Sequence, residues 1–146
     1  MKAFINGKAR EKMIKRQIAS RGVKDQNVLE AMRQVPREAF MPQEIADRAY
    51  EDRPFPIGEG QTISQPFIVA QMAQLAEIQP GDTVLELGTG SGYGAAVLAQ
   101  LAKKLYTIER RPSLAVSARK ILDRLGYQNI SVIQSDGTKG LPFKAP

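Results

Sequence analysis

Three glycines at alternate positions are the residues of this chain best placed to lie against a ligand. Gly88, Gly90 and Gly92 follow the apolar run 83–87 and precede a helical segment expected to begin near Ala95. Because glycine has no Cβ, a strand-to-helix turn of this kind bends sharply and contacts a ligand through its backbone. A dinucleotide site would read G-x-G-x-x-G, whereas this chain reads G-x-G-x-G. The spacing indicates a nucleotide-like cofactor, with an ordinary glycine-rich turn as the alternative.

Two carboxylates follow the next predicted strands. The second strand, 105–108, ends at Glu109, which lies about 20 residues beyond the first glycine, where an acidic side chain accepts hydrogen bonds from ribose hydroxyls. A solvent-facing strand end beside two arginines is the alternative for this residue. The third strand, 130–133, runs into Asp136, which is placed to receive an adenine amino group. Asp-Gly is also a common turn sequence, so a plain turn is the alternative there.

The segments between these residues predict the fold. A helix over about 95–102 follows the glycines, and a second helix begins at Pro112, has apolar residues at helical spacing and ends at Gly126. The resulting βαβαβ unit has right-handed crossovers in nearly all known cases. We therefore predict an α/β, Rossmann-like parallel sheet with helices on both faces and ligand residues at the carboxyl ends of its strands.

A segment rich in proline and glycine lies upstream of a helix predicted over 67–78. We predict residues 54–65 as a loop, and Pro66 suits the first turn of the helix that follows. The loop ends in Thr62, Ile63, Ser64 and Gln65. One interpretation is that Ser64 or Gln65 caps the helix. The other is that these side chains contact a substrate.

Several segments taken together resemble one enzyme family. The G-x-G-x-G spacing, with Glu86 two places before the first glycine, resembles the first motif of Rossmann-like (class I) S-adenosylmethionine-dependent methyltransferases. The chain as a whole resembles the protein-L-isoaspartate (D-aspartate) O-methyltransferases. The matching segments are V-P-R-E-A-F at 35–40, A-Y at 49–50, G-Q-T-I-S-Q-P at 60–66, L-E-L-G-T-G-S-G-Y at 85–93, Y-T-I-E at 106–109, L-G-Y at 125–127 and D-G at 136–137.

The resemblance implies a reaction and a set of site residues. The reaction is transfer of a methyl group from S-adenosyl-L-methionine to the α-carboxylate of L-isoaspartyl and D-aspartyl residues in damaged proteins, whose esters close to succinimides and reopen partly to normal linkages. It implies Ser64 as the catalytic residue and Thr62, Ile63 and Gln65 as substrate contacts. The implied cofactor residues are Glu86, Gly88, Thr89, Gly90, Gly92, Glu109, Asp136 and Gly137.

Composition agrees with this chemistry. The chain has neither Cys nor His, which removes the thiol nucleophile, the imidazole base and the usual zinc ligands other than carboxylates. We expect no metal. A carboxylate acceptor is already ionised near neutral pH, so methyl transfer needs no base. The expected mechanism is positioning of acceptor oxygen, methyl carbon and sulfur in line.

The net charge of +6 suggests a second class of partner, because surplus Lys and Arg can follow a phosphate backbone. Many of these charges lie in residues 8–18, where Met13, Ile14, Gln17 and Ile18 form one stripe among them. That pattern favours a solvated surface helix over nucleic-acid contact. No nucleic-acid partner is expected, and a basic surface would also attract acidic, deamidated proteins.

The chain divides simply along its length of 146 residues. Residues 1–65 are predicted to form short helices and the substrate loop, residues 66–146 to form the cofactor-binding part, and both to belong to one domain. No apolar run is long enough to cross a membrane, and no signal-peptide pattern or disulfide framework is present. We expect a cytoplasmic protein.

One departure from the family concerns the sheet. The sequence ends at residues 141–146, where family members continue into a fourth strand that lies beside the first, so only about three strands are expected. The first strand would then present an open apolar edge, which favours self-association. One alternative is therefore an inactive fragment that retains the cofactor turn. Another is a methyltransferase of the same fold that acts on nucleic acid or a small molecule, because the fold alone does not determine the acceptor.

Overall fold

The computed structural model describes residues 2–144. The α-helices are α1 Lys2–Met13, α2 Gln26–Gln34, α3 Pro66–Leu75, α4 Tyr93–Leu101 and α5 Pro112–Arg124. The strands are β1 Phe55–Gly58, β2 Gln61–Ile63, β3 Thr83–Leu87, β4 Lys104–Glu109 and β5 Ile130–Gln134. A π-helical turn, Ile14–Ile18, continues α1, and 3₁₀ turns lie at Ala19–Arg21, Arg37–Phe40, Gln43–Arg48, Gly137–Lys139 and Pro142–Lys144.

The three predicted strands form a parallel sheet in the order β3-β4-β5. Val84 and Leu105 are register partners across β3 and β4, and Glu109 pairs with Gln134 across β4 and β5. Helices α4 and α5 connect the strands, as the βαβαβ pattern predicts. Within residues 2–144, β3 has a ladder partner on one side only, so it is an edge strand, as expected.

The segment before α3 corrects the prediction of a loop over 54–65. Strands β1 and β2 form an antiparallel hairpin in which Phe55 pairs with Ile63, and each of these two side chains is only 2% exposed. The tip consists of Gly58, Glu59 and Gly60, all with positive φ. Burial of one residue from each strand stabilises a short ladder, which has a register shift between Pro56 and Gly58, although the composition of the segment is that of a loop.

Two helix boundaries also differ from the prediction. Helix α4 begins at Tyr93, two residues early, because Gly92 adopts a left-handed conformation with φ of 91° and the chain enters the helix at once. A Cβ at this glycine would lie 3.3 Å from the Cβ of Ala118, so little room for a side chain exists. Helix α3 begins at Pro66 and ends at Leu75, three residues before the predicted end, and Glu77 beyond it has a φ of 50°.

One hydrophobic cluster connects the N-terminal helices to the sheet. Ile18 and Met32 are fully buried in it together with Ala96 and Leu105, and Val84 packs against it from β3. On the opposite face of β3, Leu85 and Leu87 are exposed. The apolar core of the described residues thus forms on the face of the sheet that carries Val84 and Leu105.

The basic N-terminal helix behaves as its spacing predicts. Met13, Ile14 and Ile18 are buried, whereas Lys12 and Lys15 are exposed. Across residues 2–144, no helix combines the length and apolarity needed to cross a bilayer.

Candidate functional site

A cavity of about 540 Å³ lies between the end of the β1–β2 hairpin and the glycine turn. Seven of the predicted site residues line it: Thr62, Ile63, Ser64, Glu86, Gly88, Thr89 and Gly90. Its remaining wall includes residues that the sequence reasoning missed, namely Ile68, Val69, Met72, Ser91, Tyr93, Gly94 and Leu98. The predicted residues Gln65, Gly92, Glu109, Asp136 and Gly137 lie outside this lining. The cavity therefore joins the predicted substrate segment to the predicted cofactor turn.

The glycine turn has the backbone that its sequence predicts. Gly88, Gly90 and Gly92 all have positive φ, at 90°, 55° and 91°, which L side chains rarely adopt. The backbone amides of Gly88 and Thr89 donate to the carbonyl of Ile108 at 2.8 and 3.2 Å. These two bonds fix the turn to the carboxyl end of β4.

Glu109 is buried at that same end of β4, with 7% of its surface exposed. Its Oε2 accepts a hydrogen bond from the amide of Gly90 at 2.8 Å, and its Oε1 accepts one from the amide of Arg111 at 2.9 Å. The side chain is therefore not a solvent-facing strand end. Each carboxylate oxygen has two acceptor positions, so both oxygens retain capacity for a hydroxyl donor.

Glu86 is the second acidic residue of the site and belongs to a hydroxyl network. Its Oε1 accepts from the hydroxyl of Thr107 at 2.6 Å, and the hydroxyl oxygens of Thr107 and Thr89 lie 2.7 Å apart. Burial raises the pKa of Glu86 to about 7, and the Thr107 hydrogen bond opposes that shift. A Cβ at Gly94 would lie 2.8 Å from Oε2 of Glu86. A glycine inside the first turn of a helix, where alanine is favoured, was the sequence signal for this contact.

The substrate segment places two exposed polar residues at the cavity. Thr62 and Ser64 are exposed, whereas Ile63 between them is buried. Gln65 is the N-cap of α3 but makes no side-chain capping bond. Its side-chain nitrogen, Nε2, instead donates to Oδ1 of Asp52 at 2.5 Å. The structure thus assigns no capping bond to Ser64 or Gln65.

Asp136 and its following glycine lie just beyond β5. Oδ1 of Asp136 accepts from the amide and the hydroxyl of Thr138, at 3.0 and 2.7 Å, and these bonds lower the pKa of Asp136. The residue therefore does form the turn given as its alternative. A Cβ at Gly137 would lie 3.4 Å from Cδ2 of Leu87, so this turn lies close to the end of β3.

The hairpin tip contacts the segment that follows Glu109. Oε1 of Glu59 accepts from the hydroxyl of Ser113 at 2.5 Å, and Oε2 lies 3.4 Å from Nη1 of Arg111. A Cβ at Gly90 would lie 3.8 Å from Cδ1 of Ile57. The hairpin therefore packs against the glycine turn and the start of α5 at the same time.

The parallel sheet, the left-handed glycine turn and the buried carboxylate after the next strand define a Rossmann-like fold of the class I methyltransferase type, which confirms the predicted fold class. A solved structure of a protein-L-isoaspartate O-methyltransferase matches with a TM-score of 0.81 and 30% identity, over 94% of this chain and 45% of the other.

The chain belongs to the protein-L-isoaspartate(D-aspartate) O-methyltransferase family, whose model matches residues 8–146. It is 55% identical over 137 residues to protein-L-isoaspartate O-methyltransferase of Synechococcus sp. (strain JA-2-3B'a(2-13)), with coverage of 94% of this chain and 56% of the relative. It is 58% identical over 134 residues to the enzyme of the same name from Protochlamydia amoebophila (strain UWE25), with coverage of 92% and 64%. The chain thus spans somewhat more than half the length of these relatives.

Proposed function

We propose that this chain transfers a methyl group from S-adenosyl-L-methionine to the α-carboxylate of L-isoaspartyl and D-aspartyl residues in damaged proteins, and so acts in protein repair. One observation carries the proposal: a single cavity is lined both by Thr62, Ile63 and Ser64 and by the Gly88–Gly90 backbone. A group held at the turn would therefore face an acceptor held at the hairpin. Family membership supplies the identity of the two ligands.

The residues at the glycine turn fit the proposed cofactor, which supplies a methyl group on a sulfonium sulfur. Gly88 and Gly90, both with positive φ, leave the backbone open to a nucleoside, and the buried Glu109 retains acceptor capacity for its ribose hydroxyls. Glu86 and Thr89 line the adjoining wall. Asp136 and Gly137 remain the proposed contacts of the adenine, at the carboxyl end of the sheet.

On the acceptor side, the proposed role of the chain is orientation. Thr62 and Ser64 are exposed residues of the cavity lining, and their hydroxyls are able to donate to a carboxylate, with Ile63 and Gln65 as the proposed neighbouring contacts. Holding the carboxylate oxygen in line with the methyl carbon and sulfur is worth roughly 7–11 kcal/mol. The transfer of the methyl group from a sulfonium cation to a carboxylate anion gives two neutral products, an ester and a thioether. An apolar wall, which includes Ile68 and Met72, favours such a loss of charge.

The first test is calorimetric titration of the 146-residue chain with S-adenosylhomocysteine, followed by methyl transfer to an isoaspartyl peptide and to its normal aspartyl counterpart. Binding, with transfer to the isoaspartyl peptide alone, is the expected result. Binding without transfer would identify the inactive fragment considered above. Transfer to RNA or a small molecule but not to the peptide would overturn the proposed acceptor.

The second test removes one hydroxyl. Ser64→Ala is expected to lower kcat/KM for the isoaspartyl peptide by roughly 10-fold or more, because a hydrogen bond to a charged group contributes about 1.5–3 kcal/mol. The affinity for S-adenosylhomocysteine should stay within a factor of two. Ser117→Ala, at an exposed position on α5 outside the cavity lining, is the matched control. Equal rates in the two variants would remove Ser64 from the proposed machinery.

We further propose the cytoplasm as the compartment of this reaction. Support comes from composition, since a chain without cysteine has no disulfide that would need an oxidising compartment.

A further inference from the structure

Arg37 is the largest charged side chain in the core, with 0% of its surface exposed. Its guanidinium donates to three backbone carbonyls: Nε to Ala49 at 2.7 Å, Nη1 to Ser64 at 2.8 Å and Nη2 to Arg53 at 3.4 Å. Buried cations are usually paired with a carboxylate, yet none of the ion pairs found among residues 2–144 involves Arg37. Its hydrogen bonds therefore go to carbonyl dipoles rather than to a carboxylate, and two of those dipoles flank the β1–β2 hairpin.

The same guanidinium also touches the other half of the site. Its central carbon lies 5.0 Å from the centroid of the Tyr93 ring, over the ring face. Tyr93 is the first residue of α4, directly after the glycine turn, and is 1% exposed. One side chain thus connects the end of the hairpin at Ser64 to the start of the helix that follows the turn.

We propose that Arg37 is a positioning residue for methyl transfer, holding the Ser64 peptide group in register with the glycine turn. The inference rests on the proposed function and adds to it a residue outside the cavity lining. Ser64 itself is exposed, so its side-chain direction depends on how firmly its backbone is held. A guanidinium donates in three directions from one rigid plane, which a lysine ammonium on a flexible stem does not reproduce. Small displacements of a positioned group cost up to about 100-fold in rate.

The test compares Arg37→Lys, which alters a side chain bonded to three backbone carbonyls, with a control that removes bonds to two. In Asn129, Nδ2 donates to the carbonyls of Ala99 at 2.9 Å and Ala102 at 3.2 Å, away from the hairpin. Arg37→Lys is expected to lower kcat for the isoaspartyl peptide by roughly 10- to 100-fold while the Kd for S-adenosylhomocysteine changes less than about 3-fold. Asn129→Ala is expected to lower Tm but to leave kcat within about 2-fold. If kcat falls in proportion to Tm in both variants, the role of Arg37 is structural and the inference is wrong.

A second readout does not depend on activity. Amide hydrogen exchange in residues 61–65 is expected to accelerate in Arg37→Lys and to stay unchanged in Asn129→Ala. If the unsubstituted chain transfers no methyl group, the proposed function fails for this chain, whereas the exchange rates still decide whether Arg37 holds the hairpin. Unchanged exchange in Arg37→Lys would overturn the inference.

A third variant covers the case in which Arg37→Lys does not fold. Replacement of Gln65 by its α-hydroxy acid converts the Ser64–Gln65 peptide bond to an ester, whose carbonyl is a weaker acceptor for Nη1 of Arg37 while every side chain is kept. Faster exchange across residues 61–64 is expected, with a several-fold lower kcat. Exchange and kcat equal to those of the unsubstituted chain would overturn the inference.

Discussion

Two apolar regions of this molecule differ in how they are covered. In the N-terminal helical layer, Ile18 and Met32 are 0% exposed and belong to the shared core. Along the cavity and the open edge of β3, the apolar strip consists of Ile68, Met72, Leu85 and Leu87, which are 38%, 66%, 43% and 58% exposed. Both regions present large apolar side chains. The comparison shows that the first stabilises the fold, whereas the second is available for a ligand or another chain.

The largest expected effect comes from one methionine in each region. Met32→Ala removes a fully buried side chain and should lower the free energy of unfolding by about 2–5 kcal/mol. Met72→Ala makes the same chemical change in the apolar strip and should change the free energy of unfolding by less than about 0.5 kcal/mol. Urea denaturation of the two variants measures the difference. Equal losses would mean that the strip contributes to the folded core.

The next effect concerns Glu86, which lies on β3 between the two regions. Its pKa is raised to about 7 from an ordinary value of 4.5, mainly by burial, so the folded state keeps a proton that the unfolded chain has lost. Stability should therefore be greatest below about pH 4.5, as far as this group is concerned, and should decline by roughly 1–3 kcal/mol as the pH rises to 7. Glu86→Gln should remove that decline, as followed by unfolding curves across this pH range.

A control of opposite sign is available at the hairpin tip. Hydrogen bonds from Ser113 and Arg111 lower the pKa of Glu59, so its contribution is present above the ordinary carboxyl pKa and is lost as the pH falls. Glu59→Gln should therefore not flatten the decline between pH 4.5 and 7. If stability still declines between pH 4.5 and 7 in Glu86→Gln, the decline belongs to another titratable group.

The smallest effect on stability is expected at the open edge. We propose that the unpaired side of β3, with Leu85 and Leu87 exposed, mediates self-association of the chain. Leu87→Lys should abolish concentration-dependent association in sedimentation velocity, with a change in unfolding free energy below about 1 kcal/mol. Leu125→Lys places the same charge at an exposed leucine directly after α5 and should leave association unchanged. A monomeric unsubstituted chain at all concentrations would refute the proposal.

The sequence predicted those parts of the fold that depend on local pattern. The three parallel strands, the glycine turn and the position of Glu109 after β4 follow from apolar runs, glycine spacing and strand ends. The hairpin was missed because its stability depends on burial of Phe55 against Ile63, which composition does not reveal. The contact between Gly94 and Glu86 was missed because it joins a helix to a neighbouring strand.

Arg37 shows the same limit more clearly. The motif at 35–40 was noticed for its resemblance, but the partners of the side chain are carbonyls 12, 16 and 27 residues further along the chain. A backbone carbonyl has no sequence signature, because every residue carries one. Such a role becomes visible only when the chain is folded.

The hairpin lies next to Gly90 through Ile57 and accepts a hydrogen bond from Ser113 through Glu59, so it physically connects the two halves of the site. If a donor bound at the glycine turn raises the affinity of the hairpin for the methyl acceptor, then the acceptor must raise the affinity for the donor by the same free energy. Ser113, on a helix outside the cavity, would then tune the cooperativity between two ligands that it does not itself touch. A change at that distant hydroxyl would then alter the affinity for one ligand in the presence of the other, without any change in the chemistry of transfer.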